Sequence, residues 1–340
     1  MDKSRLEGIA QSIVASGKGI LAADESTPTI GKRFSAIGVE STEELRRSYR
    51  ELLFTTSGAA DFIGGVICYD ETFRQSSEDG TPLPKILSDR GIVPGIKVDM
   101  GAKAFALHEG EKVTEGLGGL RDRLSEYRAL GAGFAKWRAV ITIGAQIPSD
   151  ACVQANAHAL ARYAALCQEA GIVPIVEPEV LMDGDHSIDR CDAVTRRVLN
   201  ETFRALYDQG VYLPGILLKP NMVISAKHAS RRASLQVVAE RTIDCLLSEV
   251  PASVPGIVFL SGGQTEVEAT AHLNAMNHLG RALPWKLSFS YGRALQASTL
   301  KAWGGQSGNR QAAQAAFLNR ARLNSAACMG KYSPDLETRP

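Results

Sequence analysis

Short apolar runs alternate with longer amphipathic stretches along the whole chain. Eight of these runs have the length and apolar content of buried strands, and most begin roughly 40 residues after the previous one. The run Gly215–Leu218 follows a Pro-Gly turn and is stopped by Pro220, as expected for a short buried strand. The eight runs are residues 19–23, 65–68, 95–98, 134–139, 172–176, 215–218, 256–260 and 287–291.

The stretches between these runs carry the spacing of amphipathic helices. A capping box at residues 41–44 predicts a helix that runs towards Thr55, and Ser149-Asp150 predicts another up to Ala170. Further helices are predicted over residues 188–208, 230–248, 264–279 and 310–327. Strand–helix alternation repeated eight times favours an α/β fold of the (β/α)8 TIM-barrel type. An open doubly wound sheet is the alternative, disfavoured because no Gly-x-Gly-x-x-Gly follows the first run.

Composition narrows the class of protein. The 340 residues are 44% hydrophobic, carry a net charge of +1 and show no break in composition, so we expect one barrel domain over residues 1–340, with a flexible end at 335–340. No basic field predicts nucleic-acid binding, and no apolar run predicts a membrane span. The start of the chain lacks a signal-peptide pattern, and the six scattered cysteines are typical of reduced thiols, so we expect a cytoplasmic protein.

Charged residues stand where the predicted strands end. Lys219 closes the run Gly215–Leu218, where an ammonium group either pairs with a carboxylate or loses its proton. For a lone lysine the ion pair is the simpler interpretation; the alternative is a nucleophilic amine that attacks a carbonyl carbon. Because the strand ends of a parallel barrel meet on one face, the other residues at these ends decide between the two.

Residues two apart on a strand share a face, and the strand ends carry polar residues at that spacing. Lys136 and Arg138, Glu177 and Glu179, and Lys97 and Asp99 are such pairs, while Asp24 ends the first strand. A solvated rim needs no such alternation with apolar residues, so we expect a shared polar site.

The residue types in this predicted site suit carbon–carbon bond chemistry through an imine. Lowering a lysine pKa from about 10.4 to about 7 takes roughly 4–5 kcal/mol, to which burial and the neighbouring cation of Lys136 would both contribute. Glu177 and Glu179 can move protons while the imine forms, and Asp24 can accept a proton from a substrate hydroxyl.

Two groups of residues predict phosphate binding. The turn Ser261-Gly262-Gly263, between a strand and a helix, offers backbone N–H groups, and Gly292-Arg293 follows the last strand; the ends of strands 7 and 8 often bind phosphate in barrels. A second group is predicted on the opposite rim. A ligand-free turn and a solvated basic face are the simpler alternatives for the two groups. The second group consists of Lys32 and Arg33, with Ser26 and Thr29 before them and Lys97 and Arg138 as helpers.

The histidines and aromatic residues do not predict a metal site or a nucleic-acid site. None of the six histidines stands in a metal-ligand spacing, and we interpret Asp183–His186 as a loop after the fifth predicted strand. No metal is therefore expected. The sparse aromatic residues do not predict a base-stacking surface.

Seven motifs in register closely resemble those of class I fructose-1,6-bisphosphate aldolase. The resemblance covers nearly the whole chain, from Gly17 to Tyr332. The motifs are Ala-Ala-Asp-Glu-Ser, Gly-Ile-Lys-Val-Asp, Phe-Ala-Lys-Trp-Arg, Val-Glu-Pro-Glu-Val, Leu-Lys-Pro-Asn-Met, Leu-Ser-Gly-Gly-Gln and Ser-Tyr-Gly-Arg-Ala-Leu-Gln.

The resemblance implies a role for each matching residue. Lys219 matches the Schiff-base lysine, Glu177 the proton shuttle and Asp24 the group at the C4 hydroxyl, while Lys136 and Glu179 match their charged neighbours. The C1-phosphate site is matched by Ser261, Gly262, Gly292 and Arg293. The site of the other phosphate is matched by Ser26, Thr29, Lys97 and Arg138, with Lys32 and Arg33 as helpers.

The resemblance also implies the reaction and its setting. It implies a homotetrameric barrel that reversibly cleaves fructose 1,6-bisphosphate to dihydroxyacetone phosphate and glyceraldehyde 3-phosphate in glycolysis and gluconeogenesis. It implies no metal and no diffusible cofactor, because a protonated imine on Lys219 is itself the electron sink. Animal members have a longer tail with a terminal tyrosine; Tyr332 falls at the Gly-Lys-Tyr position instead, and Thr29 stands where related members often have serine.

Two other functions remain open at this point. One is a Schiff-base aldolase for a monophosphate or a deoxy sugar, which the two predicted phosphate groups disfavour. The other is a non-catalytic scaffold on the same barrel, disfavoured because Lys219 and Glu177 are both present.

Overall fold

The protein is seen in a computed structural model that describes residues 1–338. Eight parallel strands close into a barrel in the order β1-β10-β9-β8-β7-β6-β3-β2, which confirms the predicted (β/α)8 fold and excludes the open sheet; β4 and β5 form a separate antiparallel hairpin. The strands are β1 Gly19–Ala23, β2 Ile63–Cys68, β3 Val93–Lys97, β4 Ala102–Ala104, β5 Lys112–Thr114, β6 Phe134–Ile141, β7 Val173–Val180, β8 Leu217–Leu218, β9 Gly256–Phe259 and β10 Lys286–Tyr291.

Helices surround the barrel and follow most of its strands. They are α1 Lys3–Ile13, α2 Thr27–Ser35, α3 Glu43–Phe54, α4 Asp70–Arg74, α5 Leu83–Asp89, α6 Leu120–Ala129, α7 Asp150–Glu169, α8 Ile188–Asp208, α9 Leu235–Glu249, α10 Glu266–His278, α11 Arg293–Trp303 and α12 Arg310–Cys328. Short 3-10 turns cover Ala59–Asp61, Leu213–Gly215, Ser307–Asn309 and Pro334–Glu337.

The inside of the barrel changes from apolar to polar along the strand direction. Phe134, Ile175 and Leu217 pack in one buried cluster with residues of α1, which closes the amino-terminal end of the barrel. Lys136, Glu177 and Lys219 follow these three residues at a spacing of two. Period-two alternation therefore carries the apolar layer directly into a layer of charged side chains at the carboxyl ends.

Glycine at position 95 makes room for this apolar layer. A Cβ atom there would lie 2.2 Å from the ring of Phe134, which is far below any tolerated contact. Phe134 thus fills the space that a side chain on β3 would otherwise occupy. The pair shows how β3 and β6 approach closely while the interior stays filled.

Most predicted helices are confirmed, with two corrections at their starts. The N-cap of α3 is Thr42, whose side chain accepts from the Leu45 N–H, so the capping box predicted from Ser41 is wrong. Helix α9 begins at Leu235 rather than at residue 230, because the Ser234 side chain caps it by accepting from the Val237 N–H.

Three features depart from the predicted pattern of elements. The strand predicted over residues 215–218 is shorter, because Leu213–Gly215 forms a 3-10 turn and leaves only Leu217–Leu218 in β8. Strand β7 is longer than predicted, so Glu177 and Glu179 lie within it rather than after it. The β4–β5 hairpin and five of the helices were not predicted, namely α1, α2, α4, α5 and α6.

The carboxyl-terminal segment is held on the outside of the barrel. Glu337 forms an ion pair with Arg320 and accepts a hydrogen bond of 2.8 Å from the Tyr332 hydroxyl. Burial is the main reason why the pKa of Tyr332 rises to about 12. Flexibility at residues 335–340 stays a prediction, and residues 339–340 lie outside the described part of the chain.

Two features bear on the setting of the protein. Within residues 1–338 no helix combines the length and apolarity that crossing a membrane requires. All six cysteines are free thiols, as predicted.

Candidate active site

A cavity of about 1150 Å³ opens at the carboxyl ends of the barrel strands. The sequence-predicted site residues line it, with the exception of Gly263. Those that line it are Asp24, Ser26, Thr29, Lys32, Arg33, Lys97, Lys136, Arg138, Glu177, Glu179, Lys219, Ser261, Gly262, Gly292 and Arg293. The expected convergence of strand ends on one polar site is therefore present.

Lys219 lies at the floor of this cavity. Its backbone N–H donates to the Val176 carbonyl at 2.8 Å, which extends the pairing of β8 with β7 by one residue and turns the side chain inward. The Lys219 Nζ atom lies 3.2 Å from Glu177 Oε1, and both side chains are about 5% exposed or less. The lysine is thus fixed by a carboxylate that can also exchange a proton with a neighbouring group.

Glu177 bridges two lysines. Its second oxygen, Oε2, lies 3.5 Å from Lys136 Nζ and has no hydrogen-bond partner among residues 1–338. A buried carboxylate oxygen without a partner is costly unless a ligand or water completes it. The protein therefore leaves part of the hydrogen-bonding capacity of this carboxylate unused.

Asp24 and Lys136 form a buried charge pair beside Glu177, with 2.6 Å between Asp24 Oδ2 and Lys136 Nζ. Burial acts to raise the pKa of Asp24, but Lys136 and Lys219 outweigh it and hold that pKa well below the ordinary value. Burial likewise acts to lower the pKa of Lys136, but Asp24 and Glu177 hold it above the ordinary value. Both groups are charged at neutral pH.

Arg138 and Lys97 are each held by a carboxylate on the cavity wall. Arg138 pairs with Glu179, and although burial opposes it, this pairing raises the pKa of the guanidinium group above its ordinary value. Lys97 Nζ lies 2.7 Å from Asp99 Oδ1. The backbone N–H of Arg138 donates to the other carboxylate oxygen of Asp99. Both cations therefore point into the cavity from fixed positions.

The turn after β9 and the start of α11 face one another across the rim. Gly262 has a φ of +56°, a conformation that glycine adopts without strain. Arg293 Nη2 donates to the Gly262 carbonyl at 2.8 Å, and Arg293 opens α11, whose first N–H groups are free to bind an anion. The Gly263 N–H is used differently, because it donates to the Met182 sulfur atom at 2.9 Å.

The second predicted group lies on and just before α2. The hydroxyl groups of Ser26 and Thr29 are 3.1 Å apart, and Lys32 lines the cavity. Arg33 pairs with Glu25, and its Nη2 atom would lie 3.6 Å from a Cβ atom at Gly292. Arg33 thus stands beside the end of β10, between the two groups of predicted phosphate ligands rather than across the barrel from the first.

Three residues at or beside the site were not predicted from the sequence. Glu25 lines the cavity next to Asp24, and Ser290 presents a buried hydroxyl group with no partner among residues 1–338. Asn221 ties the loop after β8 to β7 by accepting from the Val180 N–H at 3.0 Å. Ser288 and Ser290 are two residues apart on β10 and therefore share a face of the strand. This spacing is the sequence signal from which Ser290 could have been predicted.

No metal centre is formed by the described residues. No group of three or more histidine, cysteine, aspartate or glutamate side chains within residues 1–338 is arranged to hold a metal ion. The segment Asp183–His186 is a loop after β7, and both ring nitrogens of His186 are buried without partners in this part of the structure.

A buried histidine supports the turn at Ser261–Gly263 from behind. His272 Nδ1 lies 2.6 Å from the Gln264 side-chain oxygen, and Gln264 Nε2 donates to the Ser261 carbonyl. Burial is the main cause that lowers the pKa of His272 from 6.5 to about 4, against the opposing charge of Glu268. The stability that the uncharged ring contributes is complete above pH 6.5 and is lost as the pH falls towards about 4.

We therefore expect acidification to weaken the protein through His272. Between about pH 7 and pH 5, the free energy of unfolding of the wild type should fall by about 1–2 kcal/mol more than that of His272→Gln. Urea unfolding at both pH values measures this difference. The control is His158→Gln, which changes an exposed histidine on α7 and should follow the wild type. Equal losses in His272→Gln and the wild type would contradict the assignment.

Comparison with known proteins identifies the family to which this arrangement belongs. The model of the glycolytic family described as fructose-bisphosphate aldolase class-I matches residues 5–339. A probable fructose-bisphosphate aldolase class 1 of Xanthomonas campestris pv. campestris is 59% identical over 98% of this chain and 99% of its own. Fructose-bisphosphate aldolase B of Gallus gallus is 53% identical, over 97% of this chain and 91% of its own.

A plant relative and a solved structure agree with these matches. Cytosolic fructose-bisphosphate aldolase 6 of Arabidopsis thaliana is 56% identical over 94% of this chain and 89% of its own. Fructose-bisphosphate aldolase of Plasmodium falciparum, solved in complex with TRAP and an inhibitor, is 49% identical. It superposes with a TM-score of 0.96 over 97% of this chain and 96% of that chain. The chain therefore belongs to the class I fructose-bisphosphate aldolases, a family that works through a Schiff base and without a metal ion.

Proposed function

We propose that this aldolase cleaves fructose 1,6-bisphosphate through a Schiff base on Lys219, with Glu177 and Asp24 as its proton-transfer groups. The observation that carries the proposal is the buried contact of 3.2 Å between Lys219 and Glu177 at the floor of a cavity lined by cations. An amine, a carboxylate and anchors for anions are the groups that imine-based cleavage of a sugar phosphate requires.

The first stage joins the substrate to the enzyme. Glu177 takes a proton from the Lys219 ammonium group, and the resulting amine attacks the C2 carbonyl carbon. A proton then moves from the nitrogen to the C2 oxygen, which becomes the hydroxyl group of the carbinolamine. Glu177 then delivers a proton to the C2 hydroxyl group, which leaves as water and gives the iminium ion. Glu177 lines the cavity within 3.2 Å of Lys219, which supports this role in proton transfer.

The second stage breaks the carbon–carbon bond. Asp24 takes the proton of the C4 hydroxyl group, the electrons of the C3–C4 bond move towards the iminium nitrogen, and glyceraldehyde 3-phosphate leaves. A carboxylate whose pKa lies below its ordinary value is ionised and ready to accept this proton at neutral pH. Proton return to C3 and hydrolysis of the imine then release dihydroxyacetone phosphate.

The charged neighbours hold these groups in their working states. Lys136 keeps Asp24 ionised through the contact of 2.6 Å, and also approaches Glu177. Lys136 was also predicted to disfavour the charged form of Lys219. Asp24 and Glu177 offset the charge of Lys136 and so oppose that effect. Glu179 fixes Arg138 on the cavity wall.

The phosphate groups of the substrate bind at the two ends of the cavity. We assign the C1 phosphate to Ser261, Gly262, Gly292 and Arg293, where a glycine turn meets the start of α11. The other phosphate is assigned to Ser26, Thr29, Lys97 and Arg138, with Lys32 and Arg33 as helpers. Ion pairs already hold Lys97 and Arg138, so little side-chain entropy is lost when the anion binds.

The proposed setting is a cytoplasmic homotetramer in which residues 1–340 act as one domain. Pairing of β1 with β10, from opposite ends of the sequence, supports the single domain. Exposed apolar side chains at Leu235, Val237 and Leu247 of α9 support an association surface. The Arabidopsis relative is named as cytosolic, which supports the location.

Trapping the imine tests the proposal. Borohydride added with dihydroxyacetone phosphate should give a reduced adduct, and peptide mass mapping should find it on Lys219. Cleavage of fructose 1,6-bisphosphate should continue in EDTA. An adduct on another lysine, or no adduct, would contradict the mechanism, and loss of activity in EDTA would contradict metal independence.

A further inference from the structure

A buried arginine stands just behind the phosphate-binding cations, outside the cavity. Arg50 lies on α3 with a side chain only 3% exposed, and it does not line the cavity. Its Nη2 atom donates to Glu25 Oε2 at 2.6 Å. Within residues 1–338 this is its one ion pair, and its Nη1 atom has no partner there. Since a buried charge is costly, Arg50 requires a reason beyond packing.

Glu25 is the centre of a connected network. It receives Arg33 on Oε1 and Arg50 on Oε2, and the Gln296 side chain donates to Oε1 at 3.0 Å. Gln296 also donates to the Ala22 carbonyl at 2.9 Å and accepts from the Tyr49 hydroxyl. The network fixes the Glu25 carboxylate against β1. Glu25 is the residue directly after Asp24, so the network also lies next to the proposed catalytic carboxylate.

Charge counting shows what Arg50 changes. Glu25 and Arg33 alone would form a neutral pair, and a phosphate group would have to compete with Glu25 for the guanidinium group of Arg33. With Arg50 bound to the other oxygen, the three side chains carry a net charge of +1. Of the two cations, Arg33 is the one that a ligand can reach. Its side chain is 23% exposed and lies beside Gly292.

We propose that Arg50 is a positioning residue that neutralises Glu25, so that the charge of Arg33 is available to a substrate phosphate group. Arg50 acts through Glu25 and touches no substrate. The inference rests on the proposed phosphate-binding role of Arg33. It adds the reason why Glu25 does not cancel the positive charge of Arg33. It predicts that removing the Glu25 charge compensates for loss of Arg50, which a purely structural role for Arg50 does not predict.

A charge-balanced double variant tests this inference. Arg50→Met should raise KM for fructose 1,6-bisphosphate about tenfold, with a smaller change in kcat, and should weaken competitive inhibition by inorganic phosphate similarly. Glu25→Gln combined with Arg50→Met restores the net charge of +1, and both constants should return to within about threefold of the wild type. Arg50→Lys, which keeps the charge but not the geometry, should fall between.

Arg46→Met is the matched control. Arg46 lies on the same helix and pairs with Glu71 at 2.6 Å, away from Glu25. This variant should lower the melting temperature while leaving KM and phosphate inhibition close to wild type. Melting curves of every variant separate loss of folded protein from loss of phosphate affinity.

Three outcomes would overturn the inference. One is a KM for the double variant that stays as high as in Arg50→Met, which would indicate damage to packing. Another is unchanged KM and phosphate inhibition in Arg50→Met. The third is unchanged phosphate inhibition in Arg33→Met, which removes the role of Arg33 itself. None of these depends on the borohydride adduct at Lys219, so failure of the inference and failure of the proposed mechanism are distinguishable.

Discussion

Replacement of Lys219 by methionine should lower kcat/KM for fructose 1,6-bisphosphate by at least about 10⁴-fold and abolish the borohydride adduct. The iminium nitrogen is the proposed acceptor for the electrons of the broken bond, and the other buried lysine cannot replace it. Lys136 is held by Asp24 at 2.6 Å, and Asp24 keeps it protonated. Steady-state kinetics with coupled detection of glyceraldehyde 3-phosphate measures the loss.

Two further variants separate the amine from its charge. Lys219→Arg keeps a cation beside Glu177 but provides no amine that forms an imine, so it should be as inactive as Lys219→Met. Lys85→Met removes an exposed lysine that pairs with Asp89 on α5, and it should retain wild-type kinetics. Substantial activity in Lys219→Arg would mean that Lys219 acts as a charge rather than as a nucleophile.

Asp24→Asn should lower kcat for cleavage of fructose 1,6-bisphosphate by about 10³-fold while leaving the adduct with dihydroxyacetone phosphate intact. The separation follows from the chemistry, since dihydroxyacetone phosphate forms the imine but has no C4 hydroxyl group to deprotonate. Single-turnover cleavage and borohydride trapping on the same preparation measure the two steps. Loss of the adduct in parallel with cleavage would assign Asp24 to imine formation instead.

The pKa of Asp24 fixes the pH range in which this comparison is valid. Because Lys136 and Lys219 hold that pKa below its ordinary value of 3.8, the stability that the ionised carboxylate contributes is complete above that pH. It is lost only as the pH falls further. The two enzymes therefore differ by one charge throughout the neutral range. Asp183→Asn, which removes an exposed carboxylate paired with Lys227, is the matched control and should behave as the wild type.

The fold was predictable because the periodicity of a strand depends only on residues that are close together in the sequence. Residues two apart on β6 and β7 point the same way whatever surrounds them, so the shared faces of Lys136 and Arg138 and of Glu177 and Glu179 followed from spacing alone. Element boundaries were less secure, since a cap such as Ser234 of α9 depends on which side chain reaches which N–H group.

The ion-pair partners were not predictable. Lys136 was expected to act as a neighbouring cation for Lys219, yet it lies 2.6 Å from Asp24, the residue that follows β1. Strands β1 and β6 are not neighbours in the closed barrel, because β2 and β3 lie between them. Such a contact depends on barrel closure and on side-chain rotamers, neither of which has a periodic signal in the sequence.

The sequence by itself determined the barrel, the residues at its strand ends and the family, because these depend on local periodicity and on motifs in a fixed order. Tertiary structure alone decided how the charges pair. It placed Glu177 between two lysines, brought Arg33 beside Gly292, and buried Arg50 behind Glu25. Electrostatic interactions depend on distance and burial rather than on order along the chain, so they are set only when the strands close into a barrel.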